Sequence, residues 1–228
     1  MQGKPGVPSP PAGAAVSLPI GTMILPSSFY EQDTIAAARG LLGCSLVHAE
    51  GNETTAGMIV ETEAYPRRDP AAHSFHGRTD ANSVLFGPPG HAHLFFVYGM
   101  HWCMNVVTGT DEGERGAVLL RALEPVKGVP VMQERRGTHE LRLLCSGPGR
   151  LTQALGITGE FNGVPLNSGP LRISSRRSVF GSHTVEESMI VQTTRVGIAK
   201  AREQPYRFYL KGNPHVSRRA GRDRGGRE

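Results

Sequence analysis

Apolar residues recur along the chain with two different periods. Ile35, Ala38, Leu41 and Leu42 stand at helical spacing, with Asp33 or Thr34 placed to cap the helix and Gly43 to close it. The pattern then turns extended. Cys44–His48 predicts a short strand, and Thr55–Tyr65 a longer one rich in β-branched residues. A stretch of Pro, His, Gly and Asp over 66–92 reads as a loop. Leu94–Tyr98 and Trp102–Thr108 flank a tight turn at Gly99 and predict a hairpin. Ala117–Leu123 predicts a strand stopped by Pro125, and Leu151–Leu155 a short helix opened by Ser146-Gly147-Pro148-Gly149. Tyr206–Leu210 is a last apolar element before Asn213-Pro214. Strands dominate and lie close in sequence, which favours an antiparallel or mixed sheet over a doubly wound one.

Composition narrows the class. At 228 residues one domain is the better expectation. Residues 1–21 carry nine Gly or Pro and no aromatic, too little apolar surface to offset ordering entropy, and are expected to be a disordered lead. Arg218 to Glu228 is expected to be a basic, solvated tail. The domain is therefore placed at 22–217. No apolar run is long enough to span a membrane. The N-terminus lacks the apolar stretch of a secretory signal. Three dispersed cysteines (Cys44, Cys103, Cys145) form no CxxC, which argues against a disulfide framework and for a reducing compartment. The formal charge of +5 suits a polyanionic partner as well as it suits an ordinary basic protein.

Four places break the local rules. In Ile59-Val60-Glu61-Thr62-Glu63-Ala64-Tyr65, strand alternation puts Glu61, Glu63 and Tyr65 on one face and Met58, Val60, Thr62 and Ala64 on the other. The first face is either a solvent face or a rigid mount for a general base. The hairpin turn carries Tyr98 and Met100 where Asn or Asp is usual, as a wedge for a base stack or a group docked on a neighbouring loop. Arg121 sits inside Val118-Leu119-Leu120-Arg121-Ala122-Leu123. Burying it requires a partner, with Glu61 or Glu63 or a ligand phosphate as candidates. Cys145-Ser146-Gly147-Pro148-Gly149-Arg150 opens a helix whose first N–H groups could meet an anion, but it matches neither phosphate-loop motif. His73, His76, His91, His93 and His101 cluster without a recognisable metal-ligand pattern, so loop or packing roles are preferred over zinc.

Taken in order, Glu63-Ala64-Tyr65, Ala71-Ala72-His73-Ser74, Tyr98-Gly99-Met100, Cys103-Met104-Asn105, Leu120-Arg121-Ala122-Leu123-Glu124-Pro125 and Leu144-Cys145-Ser146-Gly147-Pro148 resemble the alkyladenine (3-methyladenine) DNA glycosylase family. Tyr206-Arg207-Phe208-Tyr209 and Asn213-Pro214-His215-Val216-Ser217 resemble its C-terminal end, so the likeness runs from about Leu25 to Ser217. The resemblance implies a mixed α/β (α+β) fold: one compact domain with a curved, mainly antiparallel sheet, surrounding helices and a protruding β-hairpin. It implies a monofunctional enzyme that flips a damaged purine from duplex DNA and hydrolyses the N-glycosidic bond, with no metal or organic cofactor.

By the same resemblance, Glu63 is the general base and Arg121 helps hold the water and a phosphate. Tyr65, His73 and Phe95 wall the base pocket, and Asn105 crowds the 2-amino group of normal guanine. Tyr98 fills the vacated stack, with Met100 beside it. Well-known members carry Tyr where this chain has Phe95, which keeps the ring and loses the hydroxyl. Arg150, Arg195 and Lys200 are candidate phosphate contacts, with surface solvation as the plainer reading. Aromatic walls favour cationic alkylated bases by roughly 0.5–2 kcal/mol. No lysine stands among the site motifs, which argues against β-lyase chemistry. The expected partner is double-stranded DNA holding a damaged purine, the expected state a monomer. The expected location is the cytoplasm with the nucleoid in a bacterium, or the nucleus in a eukaryote. A non-catalytic nucleic-acid-binding module and a metal-dependent hydrolase built on the histidines are the competing readings.

Overall fold

In a computed structural model the described residues are 23–97, 99–110, 114–175 and 185–219. Eight strands form one curled sheet in which every pairing is antiparallel. They are β1 (Ser45–Glu50), β2 (Glu53–Tyr65), β3 (Ala92–Val97), β4 (His101–Thr108), β5 (Gly116–Lys127), β6 (Leu171–Ser174), β7 (Ile190–Thr193) and β8 (Arg207–Leu210). The main path runs β3-β4-β5-β2-β1-β6, and the later half of β2 also pairs with β8, which pairs with β7. The helices are α1 (Ser27–Tyr30), α2 (Thr34–Leu41), α3 (Val129–Arg136), α4 (Leu141–Leu144) and α5 (Pro148–Leu155). Asp33 caps α2 by accepting from the Ile35 and Ala36 amides, and Gly43, at φ 82, turns the chain into β1.

The core joins α2, α5 and one face of the sheet through Leu41, Leu46, Ile59, Leu120, Leu123 and Leu151. Thr62 sits on that face too, its hydroxyl donating to the Ala38 carbonyl of α2.

Simple alternation along β2 needs correcting. Opposite β5, Ile59 pairs with Leu123, Glu61 with Ala122 and Thr62 with Leu120. Val60 on one strand and Arg121 on the other therefore have no register partner. Each strand carries one extra residue, and such bulges re-aim side chains. Ile59, Thr62 and Ala64 face the helical core, whereas Val60 joins Ala122, Tyr209 and Val216 in a second apolar cluster. The same device explains why Pro125 does not end β5. It pairs with Gly57 beside a third register shift, where a missing N–H is tolerated.

One row of register partners crosses five strands: His93 on β3, Asn105 on β4, Leu119 on β5, Glu63 on β2 and Arg207 on β8. The sheet thus sets rings, an amide and a carboxylate side by side. At the β3–β4 turn, Phe96 and Met100 are 52% and 66% exposed, an apolar end rather than a docked one. Tyr98, the lead 1–21 and the tail from residue 220 lie outside the described residues. Arg218, by contrast, is tied down through its carbonyl, which accepts from Arg207.

Candidate active site

Four charged side chains are buried together where β2, β5 and β8 meet. Glu61 and Glu63 are fully buried, and Arg121 and Arg207 nearly so. Arg121 bridges the two carboxylates: its Nε donates to Glu61 Oε1 and its Nη1 to Glu63 Oε2, each at 3.3 Å. Glu61 is further held by Arg207 Nη1 at 2.9 Å and by the Ser217 amide at 2.7 Å. Glu63 accepts from the Val196 amide at 2.7 Å and from the Tyr65 hydroxyl at 2.8 Å. Burial opposes the charge on Arg121, but Glu63 and Glu61 outweigh it and raise the guanidinium above its ordinary value. Tyr65 is also raised, by burial first and then by the Glu63 charge, so it stays a donor.

Beside this cluster lies a cavity of about 400 Å³, within the range of small-molecule sites. Tyr65 and Arg121 line it beside the charged cluster, and His73, Phe95, Cys103 and Asn105 complete the lining. The hairpin's share of the lining follows from its register, because Phe95↔Cys103 and Val97↔His101 are cross-strand pairs. His73 meets Phe95 edge-on at 4.5 Å, and His93 stacks on Phe95 at 5.7 Å. Burial lowers His73 and pushes His93 down to about 4, with His73 adding to the second shift, so both rings are neutral at pH 7. Pro148 and Gly149 of α5 reach the rim. A side chain at Gly149 would meet His101 at 2.9 Å, so that close approach requires glycine.

The structure brings Glu63, Arg121, Tyr65, His73, Phe95 and Asn105 to one place. Glu63 stands behind the wall rather than in it, reached through Tyr65 and Arg121. Met100, Arg150 and Lys200 are exposed; Arg150 donates back to Ser146, and Lys200 lies 3.5 Å from His76. Tyr98 lies outside the described residues. Arg195 is a correction. Its side chain is fully buried, pairs with Asp69 at 2.7 Å, donates to the Ala64 and Ala201 carbonyls and stacks over Tyr65 at 4.7 Å. It braces the pocket and cannot contact a phosphate. Sequence reasoning missed Arg207, although a cation between Tyr206 and Phe208 breaks the same rule that singled out Arg121. Among the described residues no group of three His, Cys, Asp or Glu could hold a metal ion. No helix among them is long and apolar enough to cross a membrane.

The sequence model described as Methylpurine-DNA glycosylase (MPG) matches residues 28–214. The chain is 58% identical over 197 residues to a protein of Methanoculleus marisnigri provisionally named a 3-methyladenine DNA glycosylase, covering 86% of this chain and all of the relative. Proteins of the same provisional name from Carboxydothermus hydrogenoformans and Agrobacterium fabrum are 47% and 43% identical, covering 86% of this chain and 100% and 93% of theirs. The class is that of the monofunctional DNA glycosylases, hydrolases whose substrate is a base in DNA. Within it, the chain belongs to the methylpurine-DNA glycosylase family.

Proposed function

We propose that the protein extrudes 3-methyladenine, 7-methylguanine, hypoxanthine or 1,N6-ethenoadenine from duplex DNA into this cavity and cuts the N-glycosidic bond. The observation that carries the reading is the Glu63–Arg121 pair, 3.3 Å apart behind a wall of neutral rings. Extrusion costs a few kcal/mol, which ring contacts and phosphate contacts offset.

Glu63 is the general base. A water oxygen bonds to C1′, its proton passes to Glu63, and the C1′–N bond breaks with its electrons leaving on the purine. The product is an abasic site in an uncut strand. Because the Tyr65 hydroxyl and Arg121 both occupy Glu63 Oε2, a bound nucleotide has to shift one of these donors before water reaches it. Arg121 then holds the water and the adjacent phosphate. Tyr65, His73 and Phe95 sandwich the base. Their rings carry no charge, which suits a cationic alkylated purine better than a protonated imidazole would. Asn105 meets the edge of the base. Tyr98 and Met100 at the hairpin turn occupy the vacated stack, and Arg150 and Lys200 contact phosphates. The enzyme acts as a monomer where the DNA is, in the cytoplasm of a cell without a nucleus and in the nucleus otherwise.

The test is incubation with duplexes bearing each of these four bases, followed by separation of released base and of intact and alkali-cleaved strands. Free base with strands broken only after alkali supports the proposal. A duplex bound and retained without release would make the protein a binding module.

A further inference from the structure

Arg121 is gripped at two of its three guanidinium nitrogens. Glu61 takes Nε and Glu63 takes Nη1, each at 3.3 Å. Nη2 donates to nothing among the described residues, and it is not one of the enclosed polar atoms left without a partner. The side chain is 10% exposed and lines the cavity. With Nε and Nη1 spent inside the protein, Nη2 is the donor left for the cavity.

Glu61 is fully buried and does not line the cavity, so it meets no ligand itself. Its Oε1 is shared by Arg121 Nε and by Arg207 Nη1 at 2.9 Å, and its Oε2 takes the Ser217 amide at 2.7 Å. A guanidinium is planar and rigid. Held at one nitrogen, it can swing about that contact. Held at two, its plane is fixed and so is the direction of the third. Glu63 alone supplies one hold, and Glu61 supplies the second. Arg207 and the Ser217 amide keep Glu61 from following Arg121 if it moves. The bulge at Arg121, which leaves it without a register partner on β2, sets the side chain between the two carboxylates.

We propose that Glu61 is a positioning residue: by fixing Nε of Arg121 while Glu63 fixes Nη1, it aims Arg121 Nη2 into the cavity as the donor to a phosphate oxygen of the extruded nucleotide. The inference rests on the glycosylase reading of the cavity and deepens it by giving the second carboxylate a task. A phosphate oxygen is the anionic acceptor that such a nucleotide brings, and charged partners make this kind of bond strong.

Two measurements test this. The first is single-turnover release of 7-methylguanine from duplexes in which each phosphate flanking the lesion is replaced, one at a time, by a neutral methylphosphonate. One of the two replacements is expected to slow the wild-type protein about tenfold to a hundredfold, the worth of a hydrogen bond between charged groups. In Glu61→Leu, which removes both acceptors at similar size, the same replacement is expected to slow release less than about threefold. A general loss of structure would lower both rates and leave their ratio alone. An unchanged ratio in the folded variant overturns the proposal, as does a wild-type protein indifferent to both replacements, whose Nη2 would then meet water. The second measurement needs no Glu61 variant. In nitrogen–proton spectra of the DNA-free wild-type protein, assigned by the signals lost in Arg121→Lys, Arg121 is expected to show a slowly exchanging Nε–H and separate Nη1 and Nη2 signals. A freely exchanging Nε–H with one averaged Nη signal overturns the proposal, and this result decides if Glu61→Leu does not fold. If the wild-type protein releases no base from an unmodified duplex, the glycosylase reading fails, while the spectra still report on the grip.

Discussion

The two walls of the cavity solve opposite electrostatic problems. On the β2–β5–β8 side, four ionisable groups are buried and ion-paired: Arg121 lies between Glu61 and Glu63, and Arg207 pairs with Glu61. On the hairpin side, His93 is buried beside Phe95 and the more exposed His73 meets Phe95 edge-on; loss of water around each ring lowers both, so both are neutral at pH 7. Ion pairs gather on one side of the cavity and neutral rings on the other. The sheet register makes the contrast possible, since one row of paired residues runs from His93 through Asn105, Leu119 and Glu63 to Arg207.

The contrast breaks most severely at Glu61. Glu61→Ala leaves Arg207 and Arg121 short of a buried partner and is expected to cost about 3–5 kcal/mol of stability, read by denaturant unfolding. On the ring wall the lever is pH. Above 6.5 His93 is neutral whether folded or unfolded; below it the unfolded chain takes up a proton that the folded ring refuses until about 4. Stability therefore falls as pH drops across that window, by roughly 3 kcal/mol from His93, and His48, His73 and His215 are lowered in the same direction. Unfolding curves from pH 7 to 4 are expected to be correspondingly flatter for His93→Phe.

Tyr65 joins the walls. Tyr65→Phe keeps the ring against the base and removes the donor to Glu63, at an expected cost of about 1.5–3 kcal/mol, tenfold or more in single-turnover release. Smallest are the rim cations. Arg150→Ala and Lys200→Ala are expected to weaken DNA binding alike for damaged and undamaged duplex, each lowering the slope of log affinity against log salt by roughly one.

Elements built on local pattern were legible in the sequence. The Asp33 cap, the Gly43 stop, the hairpin and the long β2 all follow from spacing within a dozen residues. Short or polar elements escaped. Leu171–Ser174 has four residues and no flanking period, and Val129–Arg136 buries only Met132. The bulges at Val60 and Arg121 could not be read, because register is a property of two strands that meet far from each other in the chain. Clustering of Glu63, Arg121 and Tyr65 was legible through a cation in an apolar run and carboxylates in a strand. That Ser217 would close onto Glu61 from 156 residues away was not. Arg195 misled because its partner, Asp69, is distant and leaves no local sign.

On the proposed mechanism Glu63, and not its neighbour Glu61, takes the proton from water. Single-turnover release of 7-methylguanine by folded Glu63→Gln, with binding to the damaged duplex measured in parallel, tests it most directly. The expected result is a loss of about 10²–10⁴-fold with binding retained. Release at the wild-type rate by Glu63→Gln would contradict it.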